Sequence, residues 1–155
     1  FQRGDALTAA GVDFDEFTDP ALEIQALIWD HGSGTEHLVF PSGTRGIVAT
    51  SADGAVIGAL LVEERPRNQA VQITHLVVCP TWRRRGVATV MLGLVWVAFP
   101  WAVAAFGGCA RAGARLFDRA GFTVFEEGSR IVIPHLSKPM ANPSEHHPCW
   151  FLRVI

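Results

Sequence analysis

Tyrosine is absent from the 155-residue sequence. No phenol is therefore available as a proton donor, a nucleophile or a buried hydrogen-bonding ring. Cysteine is scarce: Cys79, Cys109 and Cys149 are odd in number and widely spaced. That spacing excludes a disulfide framework and a CxxC metal or redox motif, and it fits a reduced, cytoplasmic protein. Charge of one sign is also lacking. A formal charge of −2 sets up no bulk field toward nucleic acid or anionic lipid, so neither partner is expected. The sequence holds no internal repeat and no low-complexity tract, and "FQRGDALTAAG" at its start lacks a signal-peptide core. Because it begins at Phe1 without a Met, it reads as a fragment or a processed chain.

What is present is apolar. Hydrophobic residues make up 49% of the chain, and its length suits one domain with a real core, read as 1–155. The longest uncharged stretch, "GVATVMLGLVWVAFPWAVAAFGGCA" (86–110), follows directly on Arg83, Arg84 and Arg85. A membrane helix is written in this way, but Pro100 and Gly107-Gly108 interrupt the run and its length is marginal. Val87, Val90, Met91, Leu94, Val95 and Ala98 recur at helical spacing, which predicts a helix up to Pro100. "WAVAAF" (101–106) then reads as a buried strand closed by the two glycines, so no membrane segment is expected. Leu92, Trp96 and Val97 lie off the helix stripe, where a surface helix is polar; a second copy or an additional domain is expected to cover them.

Elsewhere the pattern alternates between strands and helices. "GVDFDEF" (11–17) reads as a first strand, and "TDPALEIQALIWD" (18–30) as a helix. Thr18 or Asp19 is expected to cap that helix, with Leu22, Ala26 and Trp29 or Leu27 inward. Residues 45–51, 55–65 and 69–78 form a meander, with Asp53-Gly54 as a tight turn and Pro80 as a stop. "ARAGARLFDRAGF" (110–122) is helical with Leu116 and Phe117 inward and Gly121 as its end; "FTVFEE", "RIVIP" and "CWFLRVI" are strands. The order β-α-βββ-α-β-α-ββ predicts an α/β (α+β mixed) single domain, a mixed and mostly antiparallel sheet flanked by helices.

One stretch carries recognisable chemistry. In "HLVVCPTWRRRGVATVML" a strand ends at Val77-Val78, a short turn follows, and a helix opens at Arg83 to Thr89. A helix N-terminus offers unpaired N–H groups and partial positive charge. Gly86 and Ala88 leave room for a phosphate at the backbone, the arginines add charge, and Thr89 adds a hydroxyl. This is an anion cradle suited to a pyrophosphate.

The run Val78-Cys79-Pro80-Thr81-Trp82-Arg83-Arg84-Arg85-Gly86-Val87-Ala88 resembles the R/Q-x-x-G-x-G/A acyl-CoA-binding motif of the GNAT (Gcn5-related N-acetyltransferase) superfamily. "ARLFDRAGF", Ala114 to Phe122, is similar to that family's A-x-x-L-Y-E-x-x-G-F segment. The resemblance covers nearly the whole chain and implies splayed central strands forming an acyl-CoA cleft. It implies that backbone N–H groups across Arg83, Arg84, Arg85, Gly86, Val87, Ala88 and Thr89 hold the pyrophosphate of acetyl-CoA. Val77 and Val78 would pair with the pantetheine arm, and Phe117 would pack against it. An amine, on a small molecule or a peptide, would attack the thioester directly in a ternary complex. Two departures matter: Phe117 stands where many relatives carry a tyrosine acid, and the usual asparagine is missing near Ala110. The alternative is therefore a GNAT-fold domain that binds acyl-CoA or a partner with little or no transfer. His75 and Glu63 are the candidate catalytic groups, with Glu64 beside the latter and Cys109 as a candidate thiol acid.

Weaker signals fall on loops. Asp30, His31, Glu36 and His37 lie where the family borders its acceptor pocket, while "GSGTEH" (32–37) follows a helix and is no dinucleotide fingerprint. His135, His146, His147 and Cys149 lack a second properly spaced ligand pair, so no metal is expected.

Overall fold

The computed structural model describes residues 2–32, 38–134 and 147–155, with side chains from Ala6 onward. Its elements are α1 (Gln2–Ala9), β1 (Asp13–Thr18), α2 (Leu22–His31), β2 (Arg45–Thr50), β3 (Val56–Arg65), β4 (Ala70–Val78), α3 (Val87–Ala98), β5 (Ala104–Cys109), α4 (Ala114–Arg119), β6 (Thr123–Phe125) and β7 (Cys149–Val154). The strands form one seven-stranded sheet in the order β1-β2-β3-β4-β5-β7-β6. β1–β2, β2–β3, β5–β7 and β6–β7 are antiparallel, whereas β4 and β5 run parallel over Ala70–Gln72 and Ala104–Phe106. The mixed sheet flanked by helices is the expected architecture. The chain divides into two compact units, Phe1–Val62 with His75–Ala98 and Glu63–Thr74 with Phe99–Ile155.

In the first unit, alternation along the strands sends apolar side chains to both faces. One face of β3 and β4 gives Ala59, Leu61 and Val77, which pack with Ile24, Leu27 and Ile28 of α2. α3 packs against β2, with Val87 and Met91 over Gly58 of β3, and α1 packs against α3. The β2–β3 turn closes through Ser51 N–H to Ala55 O at 2.9 Å, with Gly54 at φ +87°. The Asp53 carboxylate accepts from the Ser51 hydroxyl there, and that hydrogen bond holds its pKa below the ordinary carboxylate value.

Several sequence expectations shift here. α2 starts three residues past Asp19, with Ala21 at its N-cap and no side-chain cap. Thr18 is the last residue of β1, and Asp19 sits at φ +59° accepting the Gly43 N–H at 2.6 Å. The carboxylate that looked like a helix cap thus braces the bend between strand and helix. With the start moved, Ile24, Leu27 and Ile28 face inward and Leu22 is 69% exposed. α1 has no counterpart in the sequence reading. α1 packs on α3; of the three residues expected to need a cover, Leu92 is buried within the chain itself, while Trp96 is half-buried and Val97 exposed.

The second unit has its own core. Ala70, Ala104, Phe106, Ile131, Ile133 and Trp150 cluster together, and Phe117, Phe122 and Phe151 form a separate aromatic group. β5 begins three residues later than "WAVAAF" suggested and runs through both glycines. A Cβ on Gly107 would lie 2.5 Å from the Ile73 carbonyl oxygen and 2.5 Å from the Phe151 ring, so this glycine keeps strand and ring in place. "RIVIP" forms only an isolated bridge at Ile131, although Ile131 and Ile133 are buried and Val132 faces outward. The 110–122 helix is shorter than expected: a 3-10 turn, Arg111–Gly113, precedes α4. Gly121 ends it at φ +91°, as expected.

Candidate functional site

β4 ends at Val78, and the Cys79 N–H is tied to the Ile57 carbonyl of β3 at 2.8 Å. A 3-10 turn, Pro80–Trp82, swings the chain out of the sheet, with the Trp82 N–H on the Cys79 carbonyl at 2.8 Å. Arg84 at φ +62° and Gly86 at φ +91° then reverse the backbone twice. L-residues with a Cβ rarely adopt such values, and the buried Gly86 adopts them without strain. α3 starts at Val87, four residues later than the expected opening at Arg83, because Arg83 to Gly86 form a turn; its first-turn N–H groups lack intrahelical acceptors. No acidic side chain stands in that first turn. The segment thus presents backbone donors and a helix dipole that no carboxylate of its own first turn neutralises.

The three arginines play different parts. The Arg83 guanidinium reaches back, its Nε–H donating to the Val78 carbonyl at 3.2 Å, which ties the loop to the strand end. Arg85 lies over the Trp82 ring, 4.0 Å from its centroid. Arg84 makes no hydrogen bond or ion pair with any described residue and is exposed. Trp82 is the contributor sequence reasoning passed over. Its signal was there to read, an indole three positions before an arginine in a turn.

Val77, Val78, Arg83 to Thr89 and His75 all belong to the first unit. Val77 is buried against the α2 core, Val78 half-buried, and Ala88 and Thr89 half-buried at the head of α3. His75 lies two residues before Val77 and so shares its face of β4. Its half-buried ring meets Phe40 edge-on at 6.0 Å, and Phe40 in turn meets Trp29 at 6.3 Å. Glu63 (exposed) and Glu64 (half-buried) belong to the second unit, as does Phe117. Phe117 is 6% exposed and stacks on Phe151 at 3.8 Å with 10° between the planes. Cys109 is buried too; desolvation first, and then Cys149, pushes its thiol up to about 11, so it holds its proton at neutral pH.

Asp30 and His31 are exposed at the end of α2, whereas Glu36, His37, His135 and His146 fall outside the described residues. His147 is half-buried and Cys149 buried. Among the described residues no group of three or more His, Cys, Asp or Glu side chains could hold a metal ion. No described helix is long and apolar enough to cross a membrane.

The described strands form a mixed sheet with a glycine-opened helix following the fourth strand. The chain belongs to the acetyltransferase (GNAT) family, whose model matches residues 13–122. Solved structures agree in fold at low identity. Tetrahymena GCN5 is 14% identical with a TM-score of 0.71, over 92% of this chain and 96% of that one. The catalytic domain of Tetrahymena GCN5 histone acetyltransferase in complex with coenzyme A is 14% identical with a TM-score of 0.64, over 92% of each chain. The diaminobutyrate acetyltransferase of Paenibacillus lautus, in complex with its substrate and coenzyme A, is 16% identical with a TM-score of 0.56, over 92% and 95%. No curated protein matches the sequence significantly.

Proposed function

We propose that the protein is an acetyl-CoA-dependent N-acetyltransferase that passes an acyl group to an amine by direct attack in a ternary complex. The observation that carries this reading is the head of α3. Gly86 at φ +91°, with no carboxylate in the first turn and three arginines before it, is built for a pyrophosphate. Relatives solved with coenzyme A support the same cosubstrate. Acetyl-CoA would supply the activated thioester; the chain's own residues bind and orient. Backbone N–H groups of the first turn and Arg84 hold the phosphates. Arg83 fixes the loop against Val78, and the end of β4 aligns the pantetheine arm.

Transfer also requires the acceptor ammonium to lose a proton and the departing thiolate to gain one. His75, the imidazole on β4, is the base in this reading, with Glu63 as the alternative. The acceptor is a small-molecule or peptide amine. The chain's one departure from a common proton donor is physical: Phe117 has no hydroxyl and is packed on Phe151. That favours thiolate departure without a dedicated phenol. It also supports a second reading, an acyl-CoA-binding domain with little transfer, and turnover on a panel of primary amines decides between the two.

Calorimetric titration with acetyl-CoA tests the first reading directly. Micromolar binding is expected, and Gly86→Glu should abolish it by placing a carboxylate in the phosphate site. No binding of the parent chain at high micromolar acetyl-CoA would overturn the proposal.

A further inference from the structure

The final rung of the β5–β7 ladder pairs Cys109 with Cys149. Both thiols are free and both are buried, at 3% and 6% exposure. Residues directly opposed on antiparallel strands point to the same face. The phase of the rung follows from its neighbours. At the other end of the ladder the Ile155 N–H donates to the Val103 carbonyl at 2.8 Å, and the register from Ala104↔Val154 to Cys109↔Cys149 runs without a bulge. Hydrogen-bonded and non-hydrogen-bonded rungs alternate, so Cys109 and Cys149 occupy a hydrogen-bonded rung, with α-carbons about 5.5 Å apart. Disulfides span α-carbon separations of about 4.4–6.8 Å and most often about 5.5–6 Å.

We propose that Cys109 and Cys149 are a reversible thiol–disulfide pair, a modification site that locks the end of the β5–β7 ladder. The α-carbon spacing lies within the disulfide range, and closing the bond requires the two β-carbons, about 4.5–5.5 Å apart across a rung, to draw in to about 3.5–4.5 Å as the strand ends shift. Access comes from position: Cys109 is the last residue of β5 and Cys149 the first of β7. Terminal rungs open locally without unfolding the core. The co-reactant is a low-molecular-weight disulfide. One cysteine thiolate attacks a sulfur of that disulfide, forming a mixed disulfide and releasing one small thiolate. The second cysteine thiolate attacks the protein sulfur of the mixed disulfide, forming the Cys109–Cys149 bond and releasing the second small thiolate. The two protein protons end on the two released thiols; the protein pair is oxidised and the small disulfide reduced. Burial pushes the Cys109 thiol up to about 11 and so lowers its already small thiolate fraction further, which keeps the reaction slow until the rung opens.

The bond closes a loop that contains α4 and β6, which restricts the unfolded chain. The experiment uses the full chain carrying Cys79→Ser, treated with oxidised glutathione in dilute urea to open terminal rungs. The expected product has lost two hydrogens by intact mass and gives a Cys109–Cys149 cross-linked peptide on non-reducing digestion. It melts roughly 10 °C higher, and dithiothreitol reverses the change. Adding Cys149→Ser should remove both the cross-link and the rise in melting temperature. Glutathione adducts without the internal cross-link, disulfide-linked dimers, or unmodified thiols after the urea incubation would each overturn the proposal. None of these readouts depends on acetyltransferase activity.

Discussion

Gly107 shows how one missing side chain sets the geometry of a strand. Any Cβ there meets the Ile73 carbonyl and the Phe151 ring at 2.5 Å, and neither can withdraw: one is backbone, the other belongs to a stacked aromatic group. Gly107→Ala should therefore destabilise the chain by about 1–3 kcal/mol in urea denaturation, the range for overpacked cores. An unchanged midpoint would mean that the second unit's aromatic group is looser than its geometry. Cys109 makes a different prediction, in pH. Its folded pKa is raised from 9.0 to about 11, chiefly by desolvation, so the folded state keeps a proton that the unfolded chain gives up. The associated stability is complete below pH 9.0 and is lost progressively as pH rises toward about 11. Two units correspond to about 3 kcal/mol at most. Thermal melts across that window, with reductant present, should fall for the parent chain and be flatter for Cys109→Ala.

The helices and strands record which patterns survive translation into structure. α3 came through with its C-terminal boundary intact because Val87, Met91 and Val95 repeat at helical spacing and Pro100 punctuates them. α1 was invisible for the opposite reason: it carries a glycine and has Leu7 as its buried apolar anchor, so no period can be read. It packs on α3, a partner more than seventy positions away in the chain. Leu7→Ala should then cost about 2–4 kcal/mol, as for other buried leucines, in chemical denaturation. A loss below about 0.5 kcal/mol, the size typical of surface changes, would show that the helix is not seated. The start of α2 is masked in the sequence because Thr18 and Asp19 satisfy the rule for a cap while the β1–α2 bend uses them otherwise. β5 was displaced because a Gly-Gly pair ordinarily closes a strand, and its tolerance here depends on Ile73 and Phe151, which only tertiary structure brings near.

Across the molecule, legibility followed sequence distance. The strand end, the turn and the head of α3 lie within one short run from Val77 to Thr89, so the candidate anion site was readable before any fold was known. The division of labour among its arginines was not, because it rests on where Arg83 and Arg85 point, one to the Val78 carbonyl and one to Trp82. Phe117 was readable as a departure from the family, yet its stacking on Phe151 joins positions that no local pattern relates. The acceptor is less legible still, since specificity resides in loops and side-chain placement rather than in the fold.

The Arg85–Trp82 contact has an optical consequence. A chain without tyrosine emits in the near ultraviolet through its five tryptophans alone, so excitation need not be chosen to avoid phenols. Trp82 has a guanidinium 4.0 Å from its ring at the mouth of the candidate phosphate site, and an anion competing for Arg85 would change the charge above that indole. Intrinsic fluorescence should then shift as phosphate-bearing ligand is added, and Trp82→Phe should remove the shift while leaving the other four indoles as a constant background.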